Sequence, residues 1–137
     1  MELIVQRVAS GQSHLSEPDI RAAITSAFSG RYSGQKVLVL IPDHTRSLPL
    51  PLLFRVLVDA LGDTTKLDFL VALGTHPDLN DDQLYNLVGI STQERTRVYS
   101  HVGLINHRWD MPSALREVGI IKKDEVQEIA GEIWHPS

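Results

Sequence analysis

A chain of 137 residues with a net charge of −4 and 42% hydrophobic residues has the size and composition of one globular domain with a real core. The acidic balance and the lack of any basic run argue against a nucleic-acid partner, and the absence of cysteine excludes disulfides, thiolate metal ligands and a cysteine nucleophile. The opening MELIVQRVAS has no charged segment followed by a long apolar core, and no stretch reaches the roughly 18 apolar residues of a bilayer span, so a cytoplasmic protein without a membrane partner is expected.

Residues 2–8 are expected as a first strand, with Leu3, Val5 and Val8 apolar in an imperfect alternation. Ser16 then has the chemistry of a helix N-cap, with Asp19 at the third position and Leu15 placed to staple against Ile20. Ile20, Ala23, Ile24, Ala27 and Phe28 recur at helical spacing, and Gly30 lies just past their end. Residues 37–41 are five consecutive aliphatics, a pattern that suits a strand covered on both faces of a parallel sheet. Pro42 cannot donate to a ladder and should end it.

The polar run Asp43-His44-Thr45-Arg46 follows, and then Pro49 and Pro51 sit where a first helical turn tolerates proline. Leu50, Leu53, Phe54, Leu57, Val58 and Leu61 define that helix, with Gly62 as its stop. Residues 67–73 make the next strand, and Gly74-Thr75-His76-Pro77-Asp78 the loop after it. Asn80 caps another helix with Gln83 at the box position, and Gly89 ends it. Residues 96–100 are expected as a further strand leading into a polar segment over 101–110, and a last helix spans about 123–130.

Alternating strands and helices imply right-handed crossovers and a mostly parallel sheet. The expected fold is therefore α/β, a Rossmann-like three-layer domain occupying 1–137. Parallel strands would bring the loops beginning at Pro42, Gly74 and His101 to one edge, where open α/β sheets bind ligands.

Each loop residue carries two readings. Asp43 is by itself first a turn cap, a common use of Asp after a strand, and otherwise a site carboxylate. Arg46, beside a helix start, is either a bidentate anion grip or a solvated partner of Asp43. His76, between Gly74 and Pro77, is either a surface residue or a proton carrier working near neutrality. His44, His101 and His107 match no closed zinc spacing, so a metal site made by these residues is not expected. There is no GxGxxG, no GxxxxGK[ST] and no G-x-S-x-G element. Spacing alone leads to an anion-binding α/β domain with a candidate acid/base histidine.

Taken together, Asp43-His44-Thr45-Arg46 with Pro49, and Gly74-Thr75-His76-Pro77 some thirty residues on, resemble the N-terminal region of nickel-dependent lactate racemase. More broadly they are similar to 2-hydroxy-acid racemases that use a nickel-pincer nucleotide, and Asn106-His107-Arg108-Trp109-Asp110 fits a branch of that family. The resemblance implies inversion of a small 2-hydroxy acid by hydride exchange with the nickel cofactor, while two histidines exchange the hydroxyl proton. On it, His76 is one catalytic histidine, Arg46 and Asp43 bind substrate, and Thr45 contacts substrate or cofactor. It assigns no role to His44.

Ser47-Leu48-Pro49 departs slightly from the family's proline position. The larger departure is the lack of the Phe-Ser-Gly-Gly element that accompanies the family's second histidine, anchoring lysine and nickel ligand. The expectation is an N-terminal portion, inactive alone, whose partners are the hydroxy-acid carboxylate and the missing C-terminal portion. Apolar area left bare by that portion can also drive homodimer formation. The rival expectations are a non-enzymatic binding module for a small organic acid or phosphate, and a scaffold whose loop residues only cap turns.

Overall fold

Three short strands organise the chain, and in the computed structural model they lie side by side. The structure describes residues 4–11, 13–74 and 76–131. These divide into two compact units, one ending at His107 and the other beginning at Arg108.

The first unit is built on strands β1 (Lys36–Pro42), β2 (Lys66–Ala72) and β3 (Val102–Asn106), all parallel and in the spatial order β1-β2-β3. Register is set by like meeting like: Val39 lies beside Phe69, and Phe69 beside Leu104. Parallel neighbours need crossover connections. Helix α1 (Glu17–Phe28) precedes β1, α2 (Leu50–Ala60) joins β1 to β2, and α3 (Asp81–Val88) with α4 (Thr92–Arg97) joins β2 to β3.

Alternation gives each strand one inward row. Ile41, Leu67, Phe69, Val71 and Val102 are buried with Leu50, Phe54 and Val58 of α2 and Leu84 and Val88 of α3. Phe54 is the keystone of this layer, its ring centroid 4.8 Å from Phe69 and 5.2 Å from Tyr99. Burying each such side chain is worth about 1.5–3 kcal/mol. Arg55, one position on, turns outward and ties the helices together. Its guanidinium donates to the Tyr99 hydroxyl at 2.8 Å, the Gly89 carbonyl at 2.7 Å and Glu94 at 3.2 Å.

Helix starts follow local chemistry. Ser16 and Asp19 form a reciprocal capping box, and so do Asn80 and Gln83, each backbone N–H of the latter pair being bound by the other side chain at 2.9 Å. Ser91 and Glu94 form a third, and this box overturns the expected strand over residues 96–100. A capped turn starting at Thr92 carries the chain through Arg97 as helix, overriding the β preference of Thr96 and Val98. The strand lies instead at Val102–Asn106, inside the segment expected to be a polar loop. His101 consequently sits at the opposite edge of the sheet, in a small recess with Thr65, Lys66 and Leu67.

Two further expectations fail. Residues 4–8 form no strand, and residues 2 and 3 lie outside the described residues, so the described sheet has three strands rather than four. Nor is β1 covered on both faces. Leu38 and Leu40 are 54% and 67% exposed, because α2 and α3 cover one face while α1 packs on α2. Asp68 lies on that open face, leaning over Gly103 where a side chain would block it, and pairs with Lys66 at 2.5 Å.

In the second unit, Arg108 grips Asp110 through Nε and Nη2 at 3.0 and 3.1 Å. A 3-10 turn spans Pro112–Ala114, and α5 (Lys123–Ala130) forms where the Val126, Ile129 and Ala130 pattern predicts it. Among the described residues no helix is long and apolar enough to cross a membrane.

Gly89 ends α3 with φ +67°, and a Cβ there would meet the Pro51 ring at 2.5 and 2.8 Å. Gly89→Ala should therefore cost about 2–4 kcal/mol, from left-handed strain plus collision with a rigid ring. Urea unfolding checks this; a loss below about 0.5 kcal/mol would mean that α2 and α3 are not packed through this contact.

Candidate functional site

The carboxyl edge of the sheet gathers the groups that carry charge. β1 stops at Pro42, and the next residue, Asp43, is the one buried polar or charged side chain among the described residues, at 6% exposure. A buried carboxylate must find donors. Thr45 supplies two, its backbone N–H at 3.0 Å and its hydroxyl at 2.5 Å, both to Oδ1. The other oxygen, Oδ2, faces Nδ1 of His76 at 2.5 Å.

His76 arrives from the neighbouring strand. β2 ends at Ala72, Gly74 turns the chain with φ +59°, and the His76 N–H closes onto the Leu73 carbonyl at 3.0 Å. Only glycine adopts that backbone without strain. The contact joins residues 33 apart in sequence, made neighbours by the β1–β2 pairing.

The Thr45 hydroxyl, the His76 ring and the Thr45 backbone N–H, in that order, hold the Asp43 carboxyl well below the usual carboxylate range, outweighing its burial. Asp43 is therefore an acceptor with no proton of its own, and Nδ1 of His76 must be the donor between them. That fixes the ring's tautomer and orientation.

Arg46 belongs to the same edge. Its N–H closes the loop on the Asp43 carbonyl at 3.4 Å, while its exposed side chain forms no ion pair among the described residues. Asp43 is engaged by Thr45 and His76, so the reading of Arg46 as that carboxylate's solvated partner fails. Arg46, Thr45, Asp43 and His76 line one cleft of about 490 Å³, completed by Gly74 and by Leu40, Pro42, Ala72 and other strand-end residues. Leu40 and Ala72 give it an apolar wall from the open face of the sheet. A cation and an imidazole across an apolar surface suit a small organic anion.

His44 does not line that cleft; it borders an adjoining recess shared with Thr45 and His76, and a second one with Leu79 and Gln83. His107 is half-buried and continues the β3 ladder through its backbone N–H to Val71 at 3.0 Å. With His101 at the far edge, these three histidines do not converge. Among the described residues no group of three or more His, Cys, Asp or Glu side chains could by itself hold a metal ion. The apolar wall went unforeseen in the sequence, although the alternation of β1 had already placed Leu38, Leu40 and Pro42 in one row.

Residues 11–134 match the lactate racemase N-terminal domain family. A crystal structure of a Thermotoga maritima protein is similar with a TM-score of 0.71 and 28% identity, over 85% of this chain and 27% of that one. This chain thus corresponds to 27% of that protein's length. A search of curated proteins gives no match. The family implies a nickel-pincer nucleotide in the full enzyme. With the match running through nearly all of the sequence and both loops of the cleft inside it, the chain belongs to the lactate racemase N-terminal domain family.

Proposed function

We propose that this chain supplies the substrate-holding side of a racemase acting on a small 2-hydroxy acid. The observation that carries this reading is the shared cleft: Arg46 and His76 line it together, and the buried Asp43 carboxylate holds the His76 ring. Arg46 grips the substrate carboxylate with its planar guanidinium. His76 takes the hydroxyl proton through Nε2 as the alcohol becomes a ketone, and returns it when the alcohol reforms. Asp43 stabilises the imidazolium that this transfer creates. Thr45 holds Asp43 and borders the same cleft, close enough to meet substrate or cofactor.

Proton exchange at oxygen does not invert the carbon. The C–H of a hydroxy-carboxylate is too weakly acidic for a side-chain base, so inversion calls for hydride to leave and return. No side chain accepts hydride, and among the described residues no group of three or more His, Cys, Asp or Glu side chains could hold a metal ion by itself. We assign that half of the chemistry to the rest of a longer protein, consistent with the 27% of the Thermotoga maritima chain that this one covers. On this reading the chain alone binds the acid without racemising it.

Isothermal titration of the chain with lactate, against phosphate and a nucleotide as competitors, tests the carboxylate grip. Arg46→Ala should weaken lactate binding at least about tenfold, the scale of a lost charge-assisted pair, with stability changed by less than about 0.5 kcal/mol. A stability loss with unaltered affinity would make Arg46 a scaffold residue. Tight phosphate or nucleotide binding with no response to lactate would favour a binding module instead.

In the complete enzyme, His76→Ala should lower racemisation by about 10²–10⁴-fold while the protein stays folded. Retained turnover would remove His76 from the chemistry.

Asp43 makes a pH prediction. Its folded pKa lies below the ordinary 3.8, so its contribution to stability is complete above that value and is lost as the pH falls through the depressed folded value. Asp43→Asn should therefore destabilise the chain at neutral pH, and the gap to the parent should narrow only under strong acid. Parallel denaturant titrations down the pH scale measure it. A gap independent of pH would mean that the carboxylate charge is not what holds the two loops.

A further inference from the structure

Asn106 closes β3 and plays no part in the reading above. Its position is set by the sheet: it lies beside Val71, and the His107 N–H extends the ladder to the Val71 carbonyl at 3.0 Å. From there its carboxamide reaches across to the loop that follows β2. Nδ2 donates to the Leu79 carbonyl at 2.8 Å, and Oδ1 accepts from the Leu79 N–H at 3.3 Å. One side chain thus satisfies both backbone groups of a buried residue, as a paired strand would. An amide offers a donor and an acceptor in one plane. A carboxylate offers two acceptors, a hydroxyl is too short to span both, and an aliphatic chain offers neither.

Leu79 lies three residues beyond His76, and its side chain belongs to the core. The His76 loop is therefore held at its near end by the Leu73 carbonyl, in its middle by Asp43, and at its far end by Asn106. We propose that Asn106 is a positioning residue for His76, latching the far end of this loop to the sheet so that the imidazole meets Asp43 squarely. The proposal rests on the reading of His76 as the proton-exchanging group, and adds a third strand to the machinery that aims it. A purely structural asparagine would satisfy Leu79 and leave the imidazole indifferent to its removal.

The two roles separate by NMR on the full chain. Asn106→Ala and Asn106→Ser are compared with the parent through the ¹³C titration of the Asp43 carboxyl, at a temperature where each is folded. The expected result is an upward shift of the Asp43 midpoint toward the ordinary carboxylate range in both variants, because the His76 contact loosens. An unmoved midpoint in a folded variant overturns the proposal. If neither variant folds, amide exchange in the unmutated chain decides. A governing latch gives His76 and Leu79 amides a common opening free energy, whereas a His76 amide exchanging more than about tenfold faster than Leu79 overturns it. Neither measurement uses a ligand, so a failure of lactate to bind and a failure of the latch are separate results.

Discussion

A single buried carboxylate ties the two loops of the cleft together. Asp43 is taken out of water at the end of one strand and compensated from both sides, by Thr45 on its own loop and by His76 on the next. Buried charge is costly unless fully paired, so this arrangement closes only when both loops are in place. That requirement couples the fold to the site. β1 and β2 must run parallel and in register for Asp43 and His76 to meet, and the Phe54–Phe69 layer holds that register from beneath.

The same pairing divides labour at the cleft. Asp43 is engaged by Thr45 and His76 and forms no pair with Arg46, which on the proposed function leaves the guanidinium for the substrate carboxylate. Had Asp43 and Arg46 paired, the edge would be electrostatically closed and the histidine unsupported. Leu40 and Ala72 line the same cleft as an apolar wall, which on the proposed function would strengthen a carboxylate contact relative to one on an open surface.

Much of the architecture was legible because it is local. Ser16 with Asp19 and Asn80 with Gln83 announce helix starts through spacing that their hydrogen bonds require, and both form as read. Periodicity located α2 and α5, and two aliphatic runs located β1 and β2. The misreadings share a cause. Thr96, Val98 and Tyr99 look extended by composition, yet the Ser91–Glu94 box commits the preceding residues to helix. β3 hid inside an apparently polar segment because Gly103 and Asn106 interrupt its apolar pattern, although each has a tertiary reason: one makes room for Asp68, the other meets Leu79.

The sequence by itself determined where α1 and α3 begin and which polar residues follow β1 and β2, since these depend on neighbours a few positions apart, while the alternation of strands and helices implied the parallel sheet. Tertiary structure alone decided that Asp43 reaches His76 rather than Arg46, that His101 lies at the wrong edge for the cleft, and that one face of β1 stays open. The reason is physical. Partner choice among charged groups depends on strand register and burial, and both arise only when segments thirty or more residues apart are packed against one another.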